Sequence, residues 1–100
     1  MKLKEEFQPI RSWAADKGIY EKGDIKTQYL KLMEEAGELA NAIIEDDKEE
    51  IKDAIGDMVV VLTSIAHFNY NDIEECINSA YDVISKRKGK MINGSFVKNK

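Results

Sequence analysis

The sequence predicts an all-α fold, a four-helix, bundle-like arrangement ending in a short C-terminal extended or hairpin tail. Three observations predict it. Apolar residues recur at helical spacing along most of the chain, not at the alternation a half-buried strand would show. Helix-start residues, Asp24, Asp47 and Asn71, precede three of the periodic stretches. Turn-forming residues separate them. One hundred residues bound the chain to a single domain, 1–100, with one modest core that oligomerisation would help to stabilise.

The first helix is expected over residues 5–17, with Phe7, Ile10, Trp13 and Ala14 on one face. Pro9 belongs in a first turn, which would place the start near Phe7 or Gln8. Gly18 and Gly23 bracket a loop. Asp24, with Thr27 three residues on, caps a second helix over about Ile25 to Ile44. Tyr29, Leu32, Met33, Ala36, Leu39, Ala40 and Ile43 form its apolar stripe, which leaves Glu35 on the flank and Glu38 opposite. Lys31, four residues before Glu35, reads as an ion-pair partner.

Asp47 and Glu50 open a third helix in capping-box style, from about Lys48 to Phe68. After Asp57 this helix is apolar on all sides, the pattern of a segment buried all round. A chain this short cannot cover it alone, so a second subunit is expected against it. His67 closes the helix as a capping or packing residue. Asn71 and Glu74 resemble another cap and its partner, ahead of a fourth helix over about Asp72 to Lys86 with Ile73, Ile77, Ala80, Tyr81 and Ile84 facing the core. Lys86-Arg87-Lys88 complements the negative end of its dipole. In the tail, Asn93-Gly94 between apolar residues is a type I′ hairpin signal.

Charge excludes some functions. A net charge of −4 argues against a nucleic-acid-binding surface. The single Cys76 makes no intrachain disulfide, which suits a cytoplasmic location. The N-terminus lacks a signal-peptide core and no apolar run could span a bilayer.

The chemistry lies in two acidic stretches, Glu34-Glu35-Ala36-Gly37-Glu38-Leu39 and Asp53-Ala54-Ile55-Gly56-Asp57. Counted from Asp46 at the turn, Glu35 and Asp57 are each 11 residues away, and Glu38 and Asp53 are 8 and 7. With about 1.5 Å of rise per residue, each pair sits at matching depth on antiparallel helices. Four carboxylates converging without a cation would repel one another. Hard oxygen ligands with no Cys or His beside them suit Mg²⁺, with Mn²⁺ the other candidate. A solvated acidic face is the plainer reading. Gly37 and Gly56 weigh against it, each costing a helix interior about 1 kcal/mol relative to Ala and suggesting close approach of backbone or ligand, though helix packing alone is an equal explanation of them.

At these residues the chain resembles the MazG-type nucleoside triphosphate pyrophosphohydrolases, over about residues 24–90. That all-α superfamily also holds the dimeric dUTPases and the phosphoribosyl-ATP pyrophosphohydrolases. The Glu-x-x-Glu half matches at Glu35 and Glu38. In the second half Asp57 matches, but the family glutamate falls on Ala54, and Asp53 stands one position earlier. The resemblance implies Mg²⁺-dependent hydrolysis of a nucleoside triphosphate to a monophosphate and pyrophosphate. Metal would be held by Glu35, Glu38, Asp57 and Asp53, with Glu34 orienting or deprotonating the attacking water. Lys86 and Arg87 would neutralise the triphosphate, Trp13 would stack on the base, and Asn78 and Tyr81 would line the pocket. A homo-oligomer, dimer or tetramer, is implied. Alternatives are phosphoribosyl-ATP hydrolysis, a non-catalytic helical oligomerisation module, and a di-iron carboxylate protein, the last disfavoured by the lone histidine.

Overall fold

A computed structural model describes residues 3–99. It contains α1 (Lys4–Asp16), α2 (Ile19–Lys22), α3 (Ile25–Ile44), α4 (Lys48–Phe68) and α5 (Ile73–Ile84), followed by β1 (Gly89–Ile92) and β2 (Ser95–Lys98). The all-α expectation holds, and the tail is a hairpin. The principal pair is α3 and α4, an antiparallel helical hairpin. Helices α1, α2 and α5 pack against α4.

Local chemistry sets the helix ends. The Asp24 carboxylate accepts from Thr27 N at 2.8 Å and from Thr27 Oγ1 at 3.0 Å. Asp47 accepts from Glu50 N at 3.1 Å. Both satisfy amides that a helix start leaves unpaired. Helices α3 and α4 end alike. Asp47 N donates to Ala42 O and Asp46 N to Ile43 O, around Asp46 at φ 53°. Asn71 N donates to Ala66 O and Tyr70 N to His67 O, around Tyr70 at φ 59°. This paired closure usually uses glycine, because left-handed backbone crowds a Cβ. The tail hairpin turns at Asn93 (φ 49°) and Gly94 (φ 84°), as a type I′ turn requires.

Several expectations need correction. Helix α1 starts at Lys4, so Pro9 lies inside it. Leu3 O accepts from Glu6 N and Phe7 N, forming a turn ahead of the proline. The segment between the glycines is one helical turn, α2, and not an open loop. It is held because the Tyr20 ring stacks on His67 with centroids 3.6 Å apart and meets Phe68 edge-on. Gly23 is required there: a Cβ would lie 2.5 Å from Ile19 O. The last helix begins one residue later than expected, with Asp72 and not Asn71 as its cap residue. Glu74 pairs with Arg11 of α1 and makes no capping contact with Asn71.

The core is small and consists largely of small side chains: Ala14, Ala42, Ala54, Val61, Thr63, Ser64 and Ala66. The face of α3 turned to α4 runs through Gln28, Leu32, Glu35, Leu39 and Ala42. It is rotated from the expected stripe, so Tyr29, Met33 and Ile43 are exposed and Glu35 is buried. The α3 apolar arc is wide enough for two contacts, and α4 uses one flank of it. Nor is α4 buried all round, since Leu62 remains exposed. On α5, Ile73 and Ile77 are half-buried, whereas Ala80, Tyr81 and Ile84 face away from the core.

Candidate active site

Glu35 and Asp57 come together as their equal distance from the turn requires. Both line one cavity of about 340 Å³ between α3 and α4. Its walls include Trp13, Thr27, Gln28, Lys31, Val61 and Ser64. A second recess of about 350 Å³, lined by Pro9, Ile10, Trp13, Asp57 and Val60, adjoins it at Trp13 and Asp57. These volumes are in the range of small-molecule sites.

Glu35 is the unusual residue. It is 6% exposed, and its Oε2 is buried with no hydrogen-bond partner. Its Oε1 lies 3.6 Å from Lys31 Nζ, which lies equally far from Glu34 Oε2. Lys31 is held in its charged form by Glu34 first and Glu35 second. A buried carboxylate oxygen without a partner is costly, so the site favours a cation or donor that would satisfy it. The acidic side chains at the cavity, Glu35 and Asp57, offer hard oxygens, of the kind Mg²⁺ or Mn²⁺ prefer.

Trp13 is 46% exposed and borders both recesses, so it is available as a stacking platform and is not core. Glu34 is exposed and engaged with Lys31. Glu38 and Asp53 are also exposed. Among the described residues, no three Asp, Glu, His or Cys side chains are gathered as a metal would need. The four-carboxylate convergence is therefore realised only as the Glu35–Asp57 pair. Ala54 is 1% exposed on the inner face of α4, and its neighbour Asp53 is outside. Asn78, Tyr81, Lys86 and Arg87 line neither recess. Asn78 and Tyr81 belong to α5, which makes no contact with α3, and Lys86 and Arg87 to the segment after it.

Ser64, which carboxylate spacing does not reveal, is buried and lines the cavity. A small hydroxyl inside an otherwise apolar stretch was its one available signal. Its neighbour Thr63 bonds back to Val59 O at 2.7 Å, the usual way a helix satisfies such a group. Close by, burial pushes the Tyr20 hydroxyl above its ordinary pKa, and Ser64 offsets part of that rise. No hydrogen bond of good geometry reaches that hydroxyl.

The MazG nucleotide pyrophosphohydrolase domain matches residues 24–92, from the Asp24 cap into β1. An uncharacterised 18.2 kDa protein from the rep-hol intergenic region of Haemophilus phage HP1 (strain HP1c1) is 37% identical over 70 residues. That alignment covers 70% of this chain and 43% of the phage protein, so the chain spans less than half of that relative's length. No solved structure matches the chain. No described helix is long and apolar enough to cross a membrane.

Proposed function

This chain belongs to the MazG nucleotide pyrophosphohydrolase domain family, and on that premise we propose that it hydrolyses nucleoside triphosphates to a monophosphate and pyrophosphate. The observation that carries the reading is the buried, half-unpartnered Glu35 carboxylate facing a nucleotide-sized cavity with Asp57. Glu35 and Asp57 would hold Mg²⁺ or Mn²⁺; Glu38 and Asp53, exposed outside the cavity, would join them only by turning inward. A bound ion supplies charge stabilisation to phosphate oxygens and acidity to water.

The chain's own residues do the rest. Trp13 offers a ring face to the base at the rim of both recesses. Gln28 and Ser64 supply polar groups that orient the ligand within the cavity. Lys31, with Nζ 3.6 Å from both Glu34 Oε2 and Glu35 Oε1, holds a positive charge at the edge of the cavity. Glu34, exposed beside the cavity, takes the proton of the attacking water. The protein works as a homo-oligomer, because one chain leaves much of the α3 and α4 apolar surface open.

The test is a panel of canonical and modified nucleoside triphosphates, followed by pyrophosphate release with Mg²⁺. Wild type releases pyrophosphate from at least one of them, and Glu35→Gln slows that by about 100-fold or more. Mg²⁺ raises the melting temperature of wild type and not of the variant. No turnover of any nucleotide, together with no Mg²⁺-dependent shift, would leave a helical interaction module instead.

A further inference from the structure

The chain is electrically divided. Residues 83–100 carry six Lys and Arg and no acid, a charge of +6. Residues 1–82 carry nine Lys and Arg against nineteen Asp and Glu, a charge of −10. Within the positive end, charge and apolar surface are sorted. Residues 91–97, the outer part of the hairpin, include no charged side chain. Lys86, Arg87, Lys88 and Lys90 precede them, and Lys98 and Lys100 follow. Every residue of β1 and β2 is exposed, and no helix of the described chain packs on them. A two-stranded hairpin alone in water is marginal, and this one leaves Met91, Ile92, Phe96 and Val97 open to solvent.

The faces these side chains occupy decide what can cover them. Cross-strand partners share a face, and successive pairs alternate between faces. Met91 pairs with Phe96, which puts both on one face. Lys90 pairs with Val97 and Ile92 with Ser95, which puts Val97 and Ile92 on the other. The ribbon is therefore apolar on both sides near its turn. A protein surface lies against one side only. The body's own apolar recess on α3 and α4, about 470 Å³ and lined by Ile25, Tyr29, Leu30 and Ile65, could take one side and would leave the other wet. A medium that surrounds the end of the ribbon covers both, and the boundary between lipid headgroups and acyl chains is such a medium. From the Lys90–Val97 pair to the turn is about 10 Å of strand. Interfacial segments sink to a similar depth, about 5–10 Å. Lys88, Lys90 and Lys98 then lie at headgroup level, where anionic lipid attracts them. Nucleic acid fits the pattern less well, since it calls for cations along the strands and a free aromatic face. Here the outer strands are uncharged, and Phe96, the one aromatic residue in 83–100, lies over Gly89, where a Cβ would come within 2.8 Å of its ring.

We propose that the C-terminal hairpin docks this protein on an anionic phospholipid surface, resting in the interface without crossing it. Met91, Ile92, Phe96 and Val97 enter at the acyl-chain boundary, and the flanking cations sit among the headgroups. The helical body, at −10, is repelled by the same surface and stands away from it. This inference goes beyond the nucleotide reading and does not depend on it.

Co-sedimentation of the full chain with lipid vesicles tests it. Vesicles of phosphatidylcholine with about one-third phosphatidylserine should bind wild type, and phosphatidylcholine alone should not. Added salt should weaken the binding. Lys88→Gln/Lys90→Gln/Lys98→Gln should lower partitioning by about 100-fold. Met91→Ser/Phe96→Ser leaves the charge unchanged and should lower it by about tenfold or more, which adsorption by charge alone would not show. A second measurement reads the two faces separately. In a Cys76→Ser background, Ile92→Cys and Phe96→Cys each carry a polarity-sensitive fluorophore, and both probes should shift to the blue on the anionic vesicles. Failure of wild type to bind them would overturn the proposal. So would a shift on one face only, or probes already shielded by a second copy before vesicles are added. Retention of the protein by an oligonucleotide that the vesicles cannot displace would overturn it as well.

Discussion

Glu35 illustrates how a residue's chemistry depends on which flank of a helix is covered. Its spacing to Glu38, Asp53 and Asp57 is legible in the sequence, because helical rise and the position of the turn fix depth. Its burial is not. The apolar arc of α3 is wide, and the contact with α4 is offset towards Glu35 and away from Tyr29 and Met33. Ala54 stands on the matching inner face of α4, where the family pattern has an acid. Ala54→Glu should therefore place another carboxylate in the α3–α4 seam. Without divalent cations it should destabilise the protein by about 2–3 kcal/mol, since an unpaired buried charge is strongly unfavourable. With millimolar Mg²⁺ much of that loss should return. Urea unfolding with and without Mg²⁺ checks both, and a variant indifferent to Mg²⁺ would remove position 54 from any metal site.

Between elements, the best-defined polar contact joins α1 to α5. Arg11 Nη2 donates to Glu74 Oε2 at 2.7 Å and Nη1 to Oε1, with both side chains 13% exposed. The Arg11 hydrogen bonds hold the Glu74 carboxyl below its ordinary 4.5. A depressed carboxylate contributes stability above its unfolded pKa and loses it as pH falls through the lower folded value. Glu74→Gln should cost about 1–2 kcal/mol at pH 7, as a two-pronged, largely shielded pair implies. Its melting temperature should fall less steeply than wild type's between about pH 5 and 3. Parallel curves would mean that other carboxylates dominate the acid response. The pairing was not legible, because 63 residues separate the partners and Glu74 also suits a capping role. By contrast, the Asp24 and Asp47 caps and the Asn93-Gly94 turn were legible, since each is closed within four residues. The α2 turn was missed because Tyr20, stacked on a distant His67, holds it.

The whole molecule is more open than a lone globule should be. Its radius of gyration is 15.8 Å, against about 13 Å for a compact chain of 100 residues. Its stability should therefore rise with protein concentration, as mass action requires of a self-associating chain. A melting temperature that stays constant over a hundredfold dilution would count against this. Leu30, exposed at the apolar recess, sharpens the test: in an isolated chain Leu30→Glu should change stability by no more than about 0.5 kcal/mol. In an assembled protein it should yield a monomer in sedimentation. Helical periodicity shows that α5 is amphipathic but not whether its own chain covers Tyr81 and Ile84. The two corners at Asp46 and Tyr70 give this openness a direction. Each is locked by a pair of backbone bonds around a residue in left-handed conformation, and Tyr70 holds it at 99% exposure. Neither corner can swing without breaking both bonds. No such double lock closes residues 85–88, where the helices give way to the hairpin. There Lys86 N to Val83 O and Arg87 N to Ile84 O are successive turns with no left-handed corner, so the junction between helices and hairpin resists bending less than either corner does.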